Sequence, residues 1–359
     1  MTEQPTRAVL PTLHDIQQLT APHGITHLGV ASAEILDDTR AVLHRRKAEG
    51  LHDGMQFTYR NPDRSTDPDR AVPGARSVIV AARPYLTATD PERPTGGVAA
   101  RVGRYAWVDH YEPLRVGLRA AAARITAAGH RANVYADDNS MVDRAIAHRA
   151  GIGWFGKNAN LLLPGAGSFF VLGSIITTAV YQPNPEPAVD GCGSCVRCLD
   201  GCPTQAIIAP GVIDGARCIS WVLQKPGPIP VEYRVAVHDR IYGCDDCQDV
   251  CPISVRLGPR HTVDLDIDGH DVQAHVDALE LLTLDDAAIE QRHGRWWIAG
   301  REMRWLRRNA LVVIGNVAEP TDREARAVLE RYRSLDDPIL AEHAVWATAR
   351  LDERANFDS

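Results

Sequence analysis

All eight cysteines of this chain lie between residues 192 and 251. They form a C-x2-C-x2-C-x3-C-P run, one separate cysteine and a C-x2-C-x3-C-P run, which are Cys192, Cys195, Cys198 and Cys202, then Cys218, then Cys244, Cys247 and Cys251. Bacterial-type two-cluster ferredoxins bind a pair of 4Fe–4S clusters with this spacing, and the fourth cysteine of a run ligates the other cluster. The spacing therefore predicts one-electron transfer, with one cluster on Cys192, Cys195, Cys198 and Cys251 and a second on Cys202, Cys218, Cys244 and Cys247.

Disulfides and zinc are the alternative uses of so many cysteines. Disulfides are rare in the cytosol, and the sequence has no recognisable signal peptide. Pairs of C-x2-C also make zinc sites, but the x2-x2-x3-Pro spacing favours iron–sulfur clusters. The 25 residues between Cys218 and Cys244 depart from the regular spacing. We expect this insertion to have a function, because long structureless loops are uncommon in compact domains.

A basic and aromatic segment follows an acidic one near the C-terminus. Residues 264–290 contain nine acidic residues and no Lys or Arg, whereas residues 291–308 contain six arginines and three tryptophans. Arginines with aromatic side chains suit phosphate contact and base stacking. The alternative is a helix with solvated arginines and core tryptophans. Both interpretations are open, and with a net charge of −7 any nucleic-acid contact must be local.

The elements that must position these residues follow an α/β pattern in the first half. Strands are predicted at residues 27–31, 77–82 and 169–178, and helices at residues 112–128 and 141–150. No apolar run approaches the ~20 residues that span a bilayer, so we expect a cytoplasmic protein. Residues 182–187 form a proline-rich linker into the cysteine region. Amphipathic helices at residues 304–316, 322–332 and 338–351 are typical of HEAT-type repeats.

We predict three domains from this organisation. Residues 1–181 form an α/β catalytic domain, residues 182–262 a ferredoxin-like domain and residues 263–359 a helical HEAT-like domain. Too few helices are present for the last domain to stand alone, so it should pack against the rest of the chain.

The chain resembles the epoxyqueuosine reductase family over nearly its whole length, from about Gly54 to Leu351. Two stretches are highly specific in combination, R-A-G-I-G-W-F-G-K-N at residues 149–158 and I-Y-G-C-D-D-C-Q at residues 241–248. Further matches are G-S-F-F-V-L-G at residues 167–173, C-I-S-W at 218–221 and R-W-L-R-R-N-A at 304–310.

The resemblance implies a cobalamin beside the two clusters, held by the N-terminal domain, and a tRNA substrate bound with help from the C-terminal helices. The corrinoid signature D-x-H-x-x-G is absent, since Asp268-Gly269-His270-Asp271 lacks the glycine. A base-off cobalamin is therefore expected. The corrinoid contacts implied are Arg60, Asp137, Lys157, Leu161, Leu172, Ser220 and Asp245, and Gly153 and Gly156 are expected to let the backbone approach the cofactor closely.

Asp137 is the implied catalytic acid. The family pattern D-[ST]-x-P-x-x-E-R aligns with residues 137–144, where Asp138, Ser140 and Asp143 replace the usual residues. Removing an epoxide oxygen as water takes two electrons and two protons, and a carboxylic acid must protonate the leaving oxygen. From the residues alone, Asp137-Asp138-Asn139 is a turn that caps the next helix.

The implied reaction is reduction of epoxyqueuosine to queuosine at the tRNA wobble position by a monomeric enzyme with an external low-potential electron donor. The tRNA contacts expected are Lys225, Arg295, Arg301, Arg304, Arg307 and Arg308. Two alternatives are a corrinoid reductive dehalogenase that acts on a small molecule and a non-catalytic electron carrier with two clusters. The basic C-terminal segment disfavours the first, and the large α/β region disfavours the second.

Overall fold

The structure, a computed structural model, describes residues 8–184, 186–265 and 272–357. The string Asp268-Gly269-His270-Asp271 lies outside these residues. No helix in the described residues has the length and apolarity needed to cross a bilayer.

The N-terminal part is a four-stranded antiparallel sheet with helices on both faces. The strands of this part are β1 His27–Ser32, β2 Ser77–Pro84, β3 Ala99–Val102, β4 Ala132–Tyr135, β5 Trp154–Phe155, β6 Leu161–Leu162 and β7 Phe170–Thr177. Its helices are α1 Leu13–Thr20, α2 Asp37–Ala48, α3 Pro62–Ser65, α4 Pro68–Ala71, α5 Tyr111–Ala127 and α6 Asp143–Arg149. The strand order in the sheet is β1-β2-β7-β4. The strands and helices predicted at 27–31, 77–82, 112–128, 141–150 and 169–178 are confirmed within a few residues.

Alternation along β2 builds the core on both sides of this sheet. Successive side chains of a strand point to opposite faces, so Val78 and Val80 pack with Ile146 of α6, whereas Ile79 packs with Leu118 of α5. Every residue of β2 is buried. A buried central strand of this kind fixes the register of its neighbours, because a shift by one residue would exchange the two apolar faces.

The cysteine region is built from short elements around two loops. Its helices are α7 Arg197–Asp200, α8 Ile219–Gln224, α9 Val231–Val237, α10 Asp246–Asp249 and α11 Pro252–Leu257, and its strands are β8 Ile207–Ala209, β9 Val212–Ile213 and β10 Arg240–Tyr242. Pro252 starts α11 at a position where a helix needs no backbone N–H. The insertion between Cys218 and Cys244 is thus structured, since it contains α8, α9 and β10.

The C-terminal part is helical apart from one strand. It contains β11 His275–Asp277, α12 Ala278–Thr283, α13 Asp286–His293, α14 Arg304–Val317, α15 Arg323–Arg333 and α16 Pro338–Phe357. Helix α14 is buried along nearly all of its length, as expected of a helix packed on all sides. The three helices predicted at 304–316, 322–332 and 338–351 are confirmed.

A second sheet joins the three parts of the chain. Strand β3 pairs in parallel with β10 and antiparallel with β11. These strands come from the segments 1–181, 182–262 and 263–359. The three-domain division stays a prediction, but the segments share this sheet and one hydrophobic cluster, which includes Val102, Ile241 and Leu306.

Candidate functional site

The structure brings together the four thiols of each predicted cysteine set. Burial raises the pKa of the Cys198 thiol, and the charges of Cys192, Cys251 and Cys195 raise it further. Burial likewise raises the pKa of Cys247 well above its ordinary value. The charges of Cys244, Cys218 and Cys202, among others, raise this pKa further. Clustered, buried thiols that resist ionisation are stabilised as thiolates when they bind metal.

A cavity of about 140 Å³ lies within the first set and is lined by Cys192, Cys195, Cys198 and Cys251. In the described part of the chain, no three His, Cys, Asp or Glu side chains form a site for a single metal ion. A 4Fe–4S cluster does not require such tight convergence, because each thiolate binds a different iron. The geometry of the two sets therefore fits clusters.

Asp137 lies on the loop between β4 and α6. Its backbone has a positive φ of 55°, which aspartate tolerates better than most residues. Burial raises the pKa of its carboxyl, and the charge of Arg115 opposes this effect. Asp137 is nevertheless exposed to solvent, so its carboxyl is accessible although protein atoms surround part of it. Its charge also raises the pKa of Tyr242 on β10, where burial is the main cause of a rise to about 12.

A second carboxyl, that of Asp143, lies beside Asp137. Burial raises the pKa of Asp143 well above its ordinary value, and the charge of Asp137 adds to the rise while Arg144 opposes it. The turn is made by Asp138, whose Oδ1 accepts a hydrogen bond from the Ser140 N–H at 2.7 Å. Asp137 therefore does not cap α6, whose N-cap residue is Val142 and receives no side-chain hydrogen bond.

Asp245 is buried between Cys244 and the guanidinium of Arg104. Its Oδ2 accepts a hydrogen bond from the Arg104 backbone N–H at 2.8 Å, and its Oδ1 has no partner within the described residues. Burial raises the pKa of this carboxyl to about 6, against the effect of Arg104. Arg104 also binds Asp90 and Asp249, at 2.6 Å each. The partnerless Oδ1 is a site for a hydrogen-bond donor from a bound group.

The other expected corrinoid contacts are dispersed. Arg60 is exposed on the loop before α3, and Ser220 is half-buried on α8, where its Oγ accepts from Gln224 at 3.4 Å. Leu161 and Leu172 belong to the apolar cluster that also contains Met141. Lys157 Nζ donates to the Gly193 carbonyl at 2.7 Å, so it contacts the first cysteine loop.

Gly153 and Gly156 are explained by packing within the protein, and their approach to a cofactor stays a prediction. A Cβ on Gly153 would approach the Leu162 carbonyl to 2.6 Å, and one on Gly156 would approach the Leu162 side chain to 2.3 Å. Close packing between β5 and β6 therefore accounts for both glycines.

The expected tRNA contacts differ in whether their side chains are accessible and in whether they pair with carboxylates. Arg308 is fully buried and donates to the carbonyls of Val222, Leu223, Lys225 and Gly227. It cannot reach a phosphate, so its assignment is corrected. Lys225 pairs with Asp53, Arg304 with Asp337 and Arg307 with Asp286. Arg295 and Arg301 are exposed and donate to the carbonyls of Trp107 and Gly294.

An exposed tryptophan beside this site is a feature that the spacing alone did not single out. Trp296 and Trp305 are buried, but Trp297 is 47 % exposed. Its ring stacks on Trp221 with centroids 5.7 Å apart, and its backbone N–H donates to the Tyr242 hydroxyl at 2.9 Å. The indole is thus held in place between Trp221 and Tyr242. In the sequence, the only indication of this exposed tryptophan is that the tryptophans are interleaved with arginines in this segment.

A shallow groove of about 690 Å³ lies between α5 and β4. Arg119 is the one charged residue in its lining, which otherwise consists mostly of small or apolar side chains. This composition offers no groups for acid, base or redox chemistry, so we do not assign the reaction to it.

Comparison with known proteins gives concordant results. Residues 191–254 match a family described as a 4Fe–4S double cluster binding domain, and residues 65–138 match one described as epoxyqueuosine reductase QueG. The chain is 36 % identical to the epoxyqueuosine reductase of Xanthomonas campestris, over 93 % of this chain and 95 % of that protein.

Two solved structures are similar to the whole chain. An epoxyqueuosine reductase in complex with an epoxyqueuosine-modified tRNA-Tyr stem loop has a TM-score of 0.82 and 27 % identity, covering 94 % of this chain and 89 % of that one. The Bacillus subtilis epoxyqueuosine reductase, solved with an aspartate catalytic loop swung out of its active site, has a TM-score of 0.81 and 27 % identity, covering 94 % of this chain and 90 % of that one.

Proposed function

The chain belongs to the epoxyqueuosine reductase family of oxidoreductases, and we propose that it reduces epoxyqueuosine to queuosine at the wobble position of tRNA. The observation that carries this proposal is the position of Asp137. Asp137 is a solvent-exposed residue whose carboxyl has a raised pKa, and its charge acts on Tyr242, two residues before the predicted cluster ligand Cys244. An acid and an electron source are the two things that removal of an epoxide oxygen requires.

We propose that the two cysteine sets bind two 4Fe–4S clusters and that the region around Asp137 and Asp245 binds base-off cobalamin. The partnerless Oδ1 of Asp245 fits this cofactor, because the amide side chains of a corrin ring supply N–H donors. Arg60 and Ser220 are further proposed contacts, with Leu161 and Leu172 as apolar support. Bound cobalamin would supply the reducing electrons to the substrate, and the clusters would deliver them one at a time.

The role proposed for Asp137 is proton delivery to the departing epoxide oxygen. Burial keeps its carboxyl protonated to a higher pH than that of a free aspartate. The charges of Asp109 and Asp138 also raise the pKa of Asp137, whereas that of Arg115 opposes the effect. In the Bacillus subtilis structure an aspartate catalytic loop is swung out of the active site, and Asp137 likewise lies on a loop, between β4 and α6.

The tRNA proposal rests on the exposed side chains around Trp297. A wobble nucleoside must leave the anticodon stack to reach Asp137. Arg295 and Arg301 are proposed phosphate contacts, and the exposed indole of Trp297 is a proposed stacking surface for an anticodon-loop base. Lys225, Arg304 and Arg307 would contact phosphate only in exchange for their present carboxylate partners.

We also propose a role for each of the three segments of the chain. Residues 1–181, 182–262 and 263–359 would act as the cofactor, cluster and tRNA-binding parts of a cytoplasmic monomer. Helices α12 to α16 would form HEAT-like repeats. An external low-potential donor would supply the electrons.

An assay with a defined substrate tests the function. Protein loaded anaerobically with clusters and cobalamin should convert epoxyqueuosine in a tRNA anticodon stem loop to queuosine with dithionite and a viologen, as followed by mass spectrometry of the nucleosides. Asp137→Asn should abolish conversion and leave the cluster and cobalt absorption unchanged. Normal conversion by Asp137→Asn would remove the acid role from this residue. A loaded wild-type protein that leaves the nucleoside unchanged would refute the proposed reaction.

A further inference from the structure

The surface over the first cysteine set differs from the surroundings of the second. In the first cysteine loop Gly193, Ser194, Val196 and Arg197 are exposed. Across residues 241–250, which carry Cys244 and Cys247, every residue is buried or half-buried. The first set is therefore the one that an external macromolecule can approach.

Apolar side chains project from this surface. Phe155, Val196 and Val255 are 43 %, 42 % and 53 % exposed. Each is the sequence neighbour of a residue that lines the cavity of the first set, namely Gly156, Cys195 and Arg256. Single exposed apolar residues are ordinary, but a group around one opening is typical of an interaction site.

The charged side chains at the same opening are mainly basic. Lys157 and Arg256 line the cavity, and Arg197 is exposed in the first cysteine loop. Arg256 donates to the Pro252 carbonyl at 3.3 Å, and neither Arg197 nor Arg256 has a carboxylate partner among the described residues. The acidic neighbours are Asp190 and Asp200, and Asp190 accepts a hydrogen bond from the Cys192 N–H. This basic surface contrasts with the net charge of −7 of the whole chain.

We propose that this outer face, defined as Phe155, Lys157, Val196, Arg197, Val255 and Arg256, docks a small acidic one-electron carrier protein. An apolar centre with complementary charges gives fast, transient association of the kind electron transfer needs. At each encounter the reduced carrier loses one electron and the first cluster gains it, so two encounters supply the two electrons of one turnover. This inference rests on the proposed function only in requiring that the clusters be present.

Charge reversal with two separate readouts tests this docking face. Arg197→Glu/Arg256→Glu should weaken binding of an oxidised plant-type 2Fe–2S ferredoxin, a strongly acidic probe, to the cluster-loaded protein by at least ~10-fold in calorimetry. Stopped-flow bleaching of the clusters by reduced ferredoxin should slow correspondingly. Wild-type binding should weaken steeply with added salt. Arg333→Glu, which reverses an exposed arginine on α15, should bind like the wild type.

Dithionite distinguishes failure of docking from failure of the proposed function, because this small reductant needs no docking face. The double variant should convert the tRNA stem loop at the wild-type rate with dithionite. Unchanged ferredoxin affinity in the double variant, or salt-insensitive wild-type binding, would overturn the docking proposal. If charge reversal prevents cluster loading, Arg197→Gln/Arg256→Gln replaces it, with a smaller weakening of at least ~3-fold expected and the same refuting outcome.

Discussion

At the scale of single residues, the two neighbouring carboxyls of Asp137 and Asp143 are the central chemical feature. Burial raises the pKa of both Asp137 and Asp143, and the effect is larger for Asp143. Two such groups do not ionise independently, since the charge of one disfavours the charge of the other. Asp137 is the more exposed of the two and is the one that a substrate can reach.

The pH dependence of turnover follows from the raised pKa of Asp137. The acid form is required, and it is lost as the pH rises through that pKa. We expect the single-turnover rate to fall on the alkaline side, with the midpoint above the ordinary aspartate value. Asp138→Asn removes a charge that raises the pKa of Asp137 and should move this midpoint to lower pH. A midpoint unaffected by Asp138→Asn would show that this neighbouring charge does not act on the catalytic acid.

The sequence predicts residues whose role is local and misassigns those whose role depends on burial. The cysteine sets follow from spacing, and Asp137 from an aligned motif. Arg308 belongs to a run of arginines that resembles a phosphate-binding surface, yet it points into the interior. Nothing in the one-dimensional pattern separates Arg308 from Arg307, because the distinction depends on which neighbouring carbonyls lack partners after folding.

At the scale of elements, the insertion between Cys218 and Cys244 is fastened to α14. Arg308 donates to four of its carbonyls, and Asn309 Nδ2 donates to Leu223 and Ile241 at 2.8 and 2.9 Å. Asn316 Nδ2 adds a bond to the Arg234 carbonyl at 2.7 Å. The carbonyls at the end of a short helix such as α8 lack intrahelical partners. Helix α14 supplies those partners, and so positions two ligands of the second cluster.

Removing the Arg308 guanidinium should destabilise the insertion. Burial lowers its pKa to about 9, so it is still charged at neutral pH. We expect Arg308→Met to cost at least ~3 kcal/mol, because several buried carbonyls lose their donors, and to lower occupancy of the second cluster. Thermal unfolding and Mössbauer spectra of the reconstituted protein measure both effects. Arg333→Ala, at an exposed pair with Glu330, should cost no more than ~1 kcal/mol. Equal stability of the two variants would refute the fastening role.

At the scale of the whole molecule, tRNA recognition should combine few charges with one stacking surface. Lys225, Arg304 and Arg307 are already neutralised by carboxylates, so the salt dependence should be shallower than six phosphate contacts would give.

Two variants separate the charged and stacking contributions to stem-loop binding. Arg301→Ala should reduce the slope of log K against log salt by about 1, whereas Trp297→Ala should lose ~1–3 kcal/mol with an unchanged slope. Fluorescence anisotropy of a labelled stem loop at several salt concentrations measures both quantities. Unaltered affinity in Trp297→Ala would exclude the stacking surface.

The shared sheet predicts that the C-terminal helices are needed for more than RNA binding. Strand β3 loses β11, and the insertion loses α14, when the chain ends at residue 262. We expect this truncated chain to bind fewer than two clusters and to exchange the amides of β3 and β10 faster than the full chain, because their partners and buried contacts are gone. Iron quantification and hydrogen exchange by mass spectrometry test this. A truncated chain with two intact clusters and no affinity for the stem loop would instead make residues 263–359 an independent RNA-binding domain.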